Sequence, residues 1–194
     1  MQKIIGITGG IGSGKSLVCK VFSILGIPIY DADSRAKWLM NNDLALKVAI
    51  QDLLGEQSYT SSGEYNRPWV ASQVFSNPEL LQQLNAVVHP RVRQDSQSWI
   101  QKYPKAPFLL YEAALMRAAG DGKFFDKVIV VNAPIELRIK RVQQRDKRTE
   151  QEIKDIIARQ ISDEERLKFA DYVIDNDEKH PVLEQILCLY QEIL

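Results

Sequence analysis

Apolar positions along the chain switch between short unbroken runs and stretches that repeat about every 3.6 residues, a pattern that predicts strands and helices in alternation. Lys3 to Thr8 (KIIGIT) is an apolar, β-branched run that leads into glycines, as expected of a parallel strand covered on both faces. Val18, Val21, Phe22 and Leu25 then recur at helical spacing, and Gly26 marks the stop. Ile27 to Tyr30 predicts a second strand running into Asp31 and Asp33. Strand, glycine loop, helix and strand make one βαβ unit, which predicts an α/β fold with a parallel, doubly wound sheet.

From Ser34 to about Lys102 the strand signal vanishes, and this stretch reads as a helical insertion. Leu44, Val48 and Leu54 suggest one helix, and Gln57 to Pro68 (QSYTSSGEYNRP) a polar loop. Asn77-Pro78 predicts an N-cap followed by proline in the first turn. Leu80, Leu81, Leu84, Val87 and Val88 form its apolar face, and Pro90 predicts a kink or a fresh helix start at His89. The α/β pattern then resumes with strands at Ala106–Tyr111 and Val128–Val131, and Pro134 opens a helix. Thr149-x-x-Glu152 and Ser162-x-x-Glu165 read as capping boxes. Tyr172–Asp175 and Val182–Ile193 predict a last strand and a closing helix.

Composition narrows the class of protein. The 194 residues are 45% apolar and 26% charged, which suits one compact domain and excludes wholesale disorder. Lys plus Arg equals Asp plus Glu at 25 each, so no bulk attraction for nucleic acid or an acidic membrane is expected, and any anion must be held locally. Cys19 and Cys188 make no disulfide framework and read as two buried thiols. With no signal-peptide pattern and no long apolar stretch, a soluble, cytoplasmic protein is expected.

Gly9-Gly10-Ile11-Gly12-Ser13-Gly14-Lys15-Ser16 matches the phosphate-loop pattern G-x-x-x-x-G-K-[ST] in full. Glycines let backbone N–H groups converge on phosphate oxygens, and the helix start adds partial positive charge. Lys15 can reach the β- and γ-phosphates, and the Ser16 hydroxyl can ligate Mg²⁺. A chance match falls in about one such chain in a hundred, and this one lies between a predicted strand and a predicted helix. No frame supplies the dinucleotide pattern G-x-G-x-x-G.

The loop alone does not name a reaction. The base-reading motif N-K-x-D of a GTPase switch is missing, and the D-x-x-G at Asp52–Gly55 falls at a helix end. A kinase of a small acceptor fits the length. Asp31 and Asp33, two residues apart at a strand end, are expected to point the same way, toward the ligand crevice. A carboxylate there can take a hydroxyl proton or hold Mg²⁺, although Asp33 can equally cap the next helix. Glu112, closing the third strand, is a candidate for the metal's water shell or a surface carboxylate. Arg138, Arg141 and Arg145 share one helix face opposite Ile135, Ile139 and Val142; such arginines suit a transferring phosphoryl group or a solvated, salt-bridged face.

At this point the chain resembles the dephospho-CoA kinases, almost end to end. The resemblance rests on Thr8–Ser16 (TGGIGSGKS), Asp31-Ala32-Asp33, Leu84–Val92 (LNAVVHPRV), Arg145-Asp146, Arg159-Gln160, Ala170-Asp171 and Ile174-Asp175-Asn176. It implies a phosphate-loop NTPase-type parallel sheet flanked by helices, with core 1–33 and 104–194, an acceptor-binding insertion 34–103 and a helical lid at about 145–161. It implies MgATP-dependent phosphorylation of the ribose 3′-hydroxyl of dephospho-CoA; the alternative is another small acceptor such as a nucleoside or nucleotide. Asp33 would be the general base, with Lys15 and Arg145 also catalytic. Gly10, Gly12, Ser13, Gly14, Lys15, Ser16, Leu17, Arg145, Arg159 and Asn176 would hold ATP, Asn176 near the adenine. His89 and Arg91 would join Asp33 at the acceptor, while Ser16, Asp31 and Glu112 are the candidate Mg²⁺ residues. A monomer or weak homo-oligomer is expected. The family often has Thr where this chain has Leu17, and D-x-P-L-L where it has Glu112 to Met116.

Overall fold

The computed structural model describes residues 2–113 and 124–194. Ala114, Leu115 and Met116 of the departing segment lie outside the described residues. In chain order the elements are β1 (Lys3–Gly9), α1 (Lys15–Ile24), β2 (Ile29–Asp31), α2 (Ala32–Asn42) and α3 (Leu44–Leu54). Next come α4 (Arg67–Val74), α5 (Pro78–Ile100), β3 (Phe108–Glu112), β4 (Lys127–Asn132) and α6 (Ile135–Asp146). The chain continues through α7 (Glu150–Arg159), α8 (Asp163–Leu167), β5 (Tyr172–Asp175) and α9 (Val182–Ile193). It divides into two compact units, Met1–Tyr30 with Tyr103–Leu194, and Asp31–Lys102.

In the first unit a five-stranded sheet has the order β2-β3-β1-β4-β5, and the pairs β1/β3, β1/β4 and β4/β5 are parallel. β1 therefore lies at the centre with a crossover on either side. Ile5, Ile7, Phe108, Leu110, Ile129 and Val131 pack one sheet face on Val18, Cys19 and Phe22 of α1 and on Ile186, Leu189 and Ile193 of α9. Leu109 and Val130, pointing to the opposite face, are buried too, which is why these strands read as unbroken apolar runs. Cys188 departs from expectation and is exposed. Ile186, Leu189 and Ile193 set the buried stripe of α9, and residue 188 falls outside it.

The second unit packs α5 against α2, α3 and α4. Pro90 does not restart the helix, since α5 runs unbroken over 23 residues. Losing the N–H at Pro90 costs about 3 kcal/mol. Leu84, Val88 and Val92 flank the proline on one buried stripe, each contributing about 1.5–3 kcal/mol on burial, and keep the helix continuous. His89 and Pro90 lie on the exposed side. In α3 the buried residues are Leu46 and Ile50, while Leu44 and Val48 are exposed. That helix is apolar nearly all round, so spacing alone admits two faces. The polar loop after it carries a 3-10 turn at Glu56–Ser58 and a bridge between Tyr59 and Tyr65.

Candidate phosphate-binding site

β1 delivers the glycine loop to the carboxyl end of the sheet. Its register pairs Ile7 with Glu112 on one side and Gly9 with Val131 on the other, so both neighbouring strand ends flank the loop. The Ser13 N–H donates to the Gly10 carbonyl at 3.1 Å, closing a turn, and Gly12 and Gly14 take φ values of 77° and 94°. Gly14 is also the N-cap of α1 and supplies no side-chain acceptor. The N–H groups of Gly12, Gly14, Lys15 and Ser16 have no acceptor among the described residues, an arrangement of converging donors at a helix start that suits an anion. Beside them Lys15 Nζ lies 2.7 Å from Glu112 Oε1, with both side chains largely buried. The parallel register accounts for this pair: Glu112 ends β3 level with the turn out of β1.

Three later side chains brace the loop from below. Arg138 Nε donates to the Ile11 carbonyl at 2.9 Å, and the Ile11 N–H donates to Gln160 Oε1 at 3.0 Å. Asn176 Nδ2 donates to the Ser13 carbonyl at 2.8 Å, and Arg141 donates to the Asn176 carbonyl and Oδ1 at 3.0 and 3.3 Å. Glycine is needed where these braces come close. A Cβ on Gly10 would stand 2.1 Å from an Arg138 nitrogen, and one on Gly14 would stand 2.0 Å from Asn176 Nδ2. Ser13 is buried, its N–H and carbonyl are both engaged within the protein, and it shapes the loop. Asn176, expected near the adenine, has its amide committed to the loop and to Arg141.

The arginine face expected on α6 separates into three environments. Arg138 is only 2% exposed, whereas Ile135, expected to be buried, is exposed. Arg138 Nη1 also donates to Asp163 at 2.7 Å, and Asp163 accepts a second hydrogen bond from buried Arg166. Burial pushes the Arg166 guanidinium below its ordinary value, with the Asp163 carboxylate opposing the shift. Arg145 is exposed and pairs with Asp146 through two hydrogen bonds of 2.7 and 2.8 Å, and this contact holds the Asp146 carboxyl below its usual range. Arg159 lies exposed in the last turn of α7. The Thr149 capping box of α7 forms with both hydrogen bonds, and at Ser162 the hydroxyl accepts from the Glu165 N–H at 3.1 Å. Ile153 of α7 is fully buried against Ile139 and Val142 of α6, with Ile11 and Ile157 packed on them.

The structure thus brings Gly10, Gly12, Ser13, Gly14, Lys15, Glu112 and Asn176 together, with Ser16 and Leu17 exposed on the first turn of α1. Asp31, Asp33, His89 and Arg91 belong to the second unit. There Asp31, not Asp33, caps α2: its oxygens accept from the Ser34 N–H at 3.0 Å and the Ser34 hydroxyl at 2.5 Å. Strand alternation does not relate the two aspartates, because the helix starts at Ala32 and Asp33 stands exposed in its first turn. Arg91 is held by Asp43, the N-cap of α3. Burial works against the Asp43 carboxylate, but hydrogen bonds from the Leu46 N–H and Arg91 prevail and keep it below its usual range. His89 is exposed on α5.

Sequence reasoning missed the bracing roles of Arg138, Gln160 and Asp163. The usable signal was the doublet Gly9-Gly10, which asks what approaches the backbone so closely. Among the described residues there is no group of three or more His, Cys, Asp or Glu able to hold a metal ion, and no helix long and apolar enough to cross a membrane.

Comparison with known proteins gives a consistent result. The family model for dephospho-CoA kinase matches residues 3–181. A dephospho-CoA kinase of Bacteroides fragilis is 35% identical over 193 residues, covering 97% of this chain and 94% of that protein. Among solved structures, a Thermus thermophilus protein superimposes with a TM-score of 0.89 at 33% identity, covering 100% of this chain and 98% of its own. Dephospho-CoA kinase from Campylobacter jejuni does so with a TM-score of 0.72 at 28% identity and the same coverage.

Proposed function

The chain belongs to the dephospho-CoA kinase family, and from that premise we propose that it transfers the γ-phosphoryl group of ATP to the ribose 3′-hydroxyl of dephospho-CoA, giving coenzyme A and ADP. The observation that carries this reading is the match of nearly the whole chain to that family, joined to a loop whose amides have no acceptor among the described residues and stand beside Lys15.

The loop amides and Lys15 bind the triphosphate and accept its charge without reorganising, the kind of preorganisation that supplies most of the catalysis in phosphoryl transfer. Glu112 accepts a hydrogen bond from Lys15 and holds its side chain beside the loop. The acceptor oxygen attacks the γ-phosphorus as the bond to the β–γ bridging oxygen breaks, and Asp33 takes the hydroxyl proton. Arg145 and Arg159 neutralise the transferring charge. The exposed Ser16 hydroxyl and the Glu112 carboxylate are hard oxygen donors of the kind Mg²⁺ accepts, so the residues fit a magnesium nucleotide, and Ser16 would hold the ion. When bound, Mg²⁺ would neutralise charge on the β- and γ-phosphates.

The test is ADP release with MgATP against a panel of acceptors: dephospho-CoA, nucleosides, nucleotides and shikimate. Turnover with dephospho-CoA, and a product phosphorylated at the 3′ position, is the expected result. Preference for another acceptor, or none, would overturn the assignment.

A further inference from the structure

Ile11 sits at the tip of the phosphate loop, and its backbone is gripped at both ends. Its N–H donates to Gln160 and its carbonyl accepts from Arg138. The two grips share an origin. Gln160 is the C-cap of α7, and Arg138 is tied through Nη1 to Asp163, the first residue of α8. The short connection 160–163 between α7 and α8 therefore touches the loop directly at one end and through Arg138 at the other. The Ile11 side chain and Ile157 of α7 also pack against one shared cluster, Ile139 and Val142 of α6 with Ile153 of α7.

Arg138 is a costly choice for this position. A guanidinium stays charged, and removing it from water is offset only by well-placed partners. Filling the same volume with an apolar side chain is often neutral or stabilising, so stability alone does not account for the arginine. Its placement does. The guanidinium occupies the space left by the missing Cβ of Gly10 and donates to a loop carbonyl, fixing the orientation of that peptide.

We propose that Arg138, Asp163 and Gln160 form a clamp that sets the phosphate loop from the connection following α7, making them positioning residues for phosphoryl transfer. The proposal rests on the reading that this loop holds the nucleotide's phosphates. Segment 160–163 cannot shift without moving the Ile11 peptide. By linkage, a nucleotide that orders the loop must also order α7.

The test uses Gln160→Leu, Asp163→Asn and Arg138→Lys in the full chain. Gln160 is half-buried, and Asp163→Asn keeps the shape and an acceptor oxygen, so both variants keep the question open if Arg138→Lys fails to fold. Calorimetry with a nonhydrolysable ATP analogue is expected to show about tenfold weaker binding for each variant, the scale of one lost hydrogen bond to a charged or buried group. The KM for ATP rises likewise, and the KM for the acceptor is unchanged. Hydrogen exchange is expected to show analogue-dependent protection of α7 in the wild type and its loss in the variants. A purely structural role predicts a lower melting temperature and a smaller active fraction, with the KM for ATP and the protection of α7 intact; that outcome overturns the clamp alone. A wild-type chain that does not bind the analogue overturns the clamp and the proposed function together.

Discussion

Replacing Gly14 by alanine tests the construction of the loop at its tightest point. Gly14 has φ 94°, a conformation that costs a residue with a side chain about 1–2 kcal/mol. The new Cβ would stand 2.0 Å from Asn176 Nδ2. That amide cannot swing aside cheaply, because Arg141 holds its Oδ1 at 3.3 Å and the Asn176 carbonyl at 3.0 Å. It must leave the Ser13 carbonyl, and losing that buried bond costs about 1–3 kcal/mol. The two costs together are about 2–5 kcal/mol. In a chain of this length each kcal/mol moves the melting temperature by about 2–4 °C, so a fall of about 4–20 °C is expected. Thermal and urea denaturation measure it, and calorimetry with an ATP analogue should show binding weakened in parallel. The double variant Gly14→Ala, Asn176→Ala separates the causes. Without the Asn176 amide the collision disappears and only backbone strain remains, so the pair should be less destabilising than the sum of the singles by about 1–2 kcal/mol. Strict additivity, or a melting temperature unmoved in the single variant, would refute the reasoning.

Lys15→Ala removes the ammonium and leaves the Glu112 carboxylate unpaired; nucleotide affinity is expected to fall at least about 30-fold by calorimetry, with turnover falling as well. Asp33→Asn is expected to lower kcat by about 10²–10⁴ while leaving the Kd for ATP unchanged, and an unchanged kcat would end its assignment as general base. Burial, reinforced by the neighbouring Tyr65, pushes the Tyr59 phenol up to about 12, and its hydroxyl donates to the Met40 carbonyl at 2.8 Å. Because the folded value exceeds the unfolded one, this contribution to stability is complete below pH 10 and is lost as the pH rises toward 12. Urea denaturation across that range should show the loss in the wild type, and Tyr59→Phe should flatten it.

The parts of the fold written in local pattern were legible. β1, the glycine loop, α1, the N-caps at Asn77 and Thr149, β5 and α9 all follow from runs, caps and breakers a few residues long. Errors arose where tertiary contacts outweighed local preference. Pro90 reads as a helix breaker, yet its penalty is outweighed by the buried stripe on either side. The start of α2 at Ala32 gave the capping role to Asp31, because where a strand stops and a helix begins is decided by sheet pairing as well as by residue type. Arg138 reads as one third of a polar face. Its burial depends on a glycine far upstream and an aspartate 25 residues on, neither of which a helical wheel contains. The candidate site divides the same way: Lys15 and the glycines declare themselves by motif, whereas the side chains beneath them are known only from the fold.

The braces under the loop lie far away along the chain. Arg138, Gln160 and Asn176 stand 127, 149 and 163 residues from the loop groups they hold. During synthesis the glycine segment leaves the ribosome well before these braces, and it acquires its braced shape only once they have followed. A nascent polypeptide truncated before Asn176 would carry the motif without its supports. Capture of a nucleotide thus serves as a certificate of completion, and by favouring the finished fold over all earlier ones the ligand helps to hold the chain there.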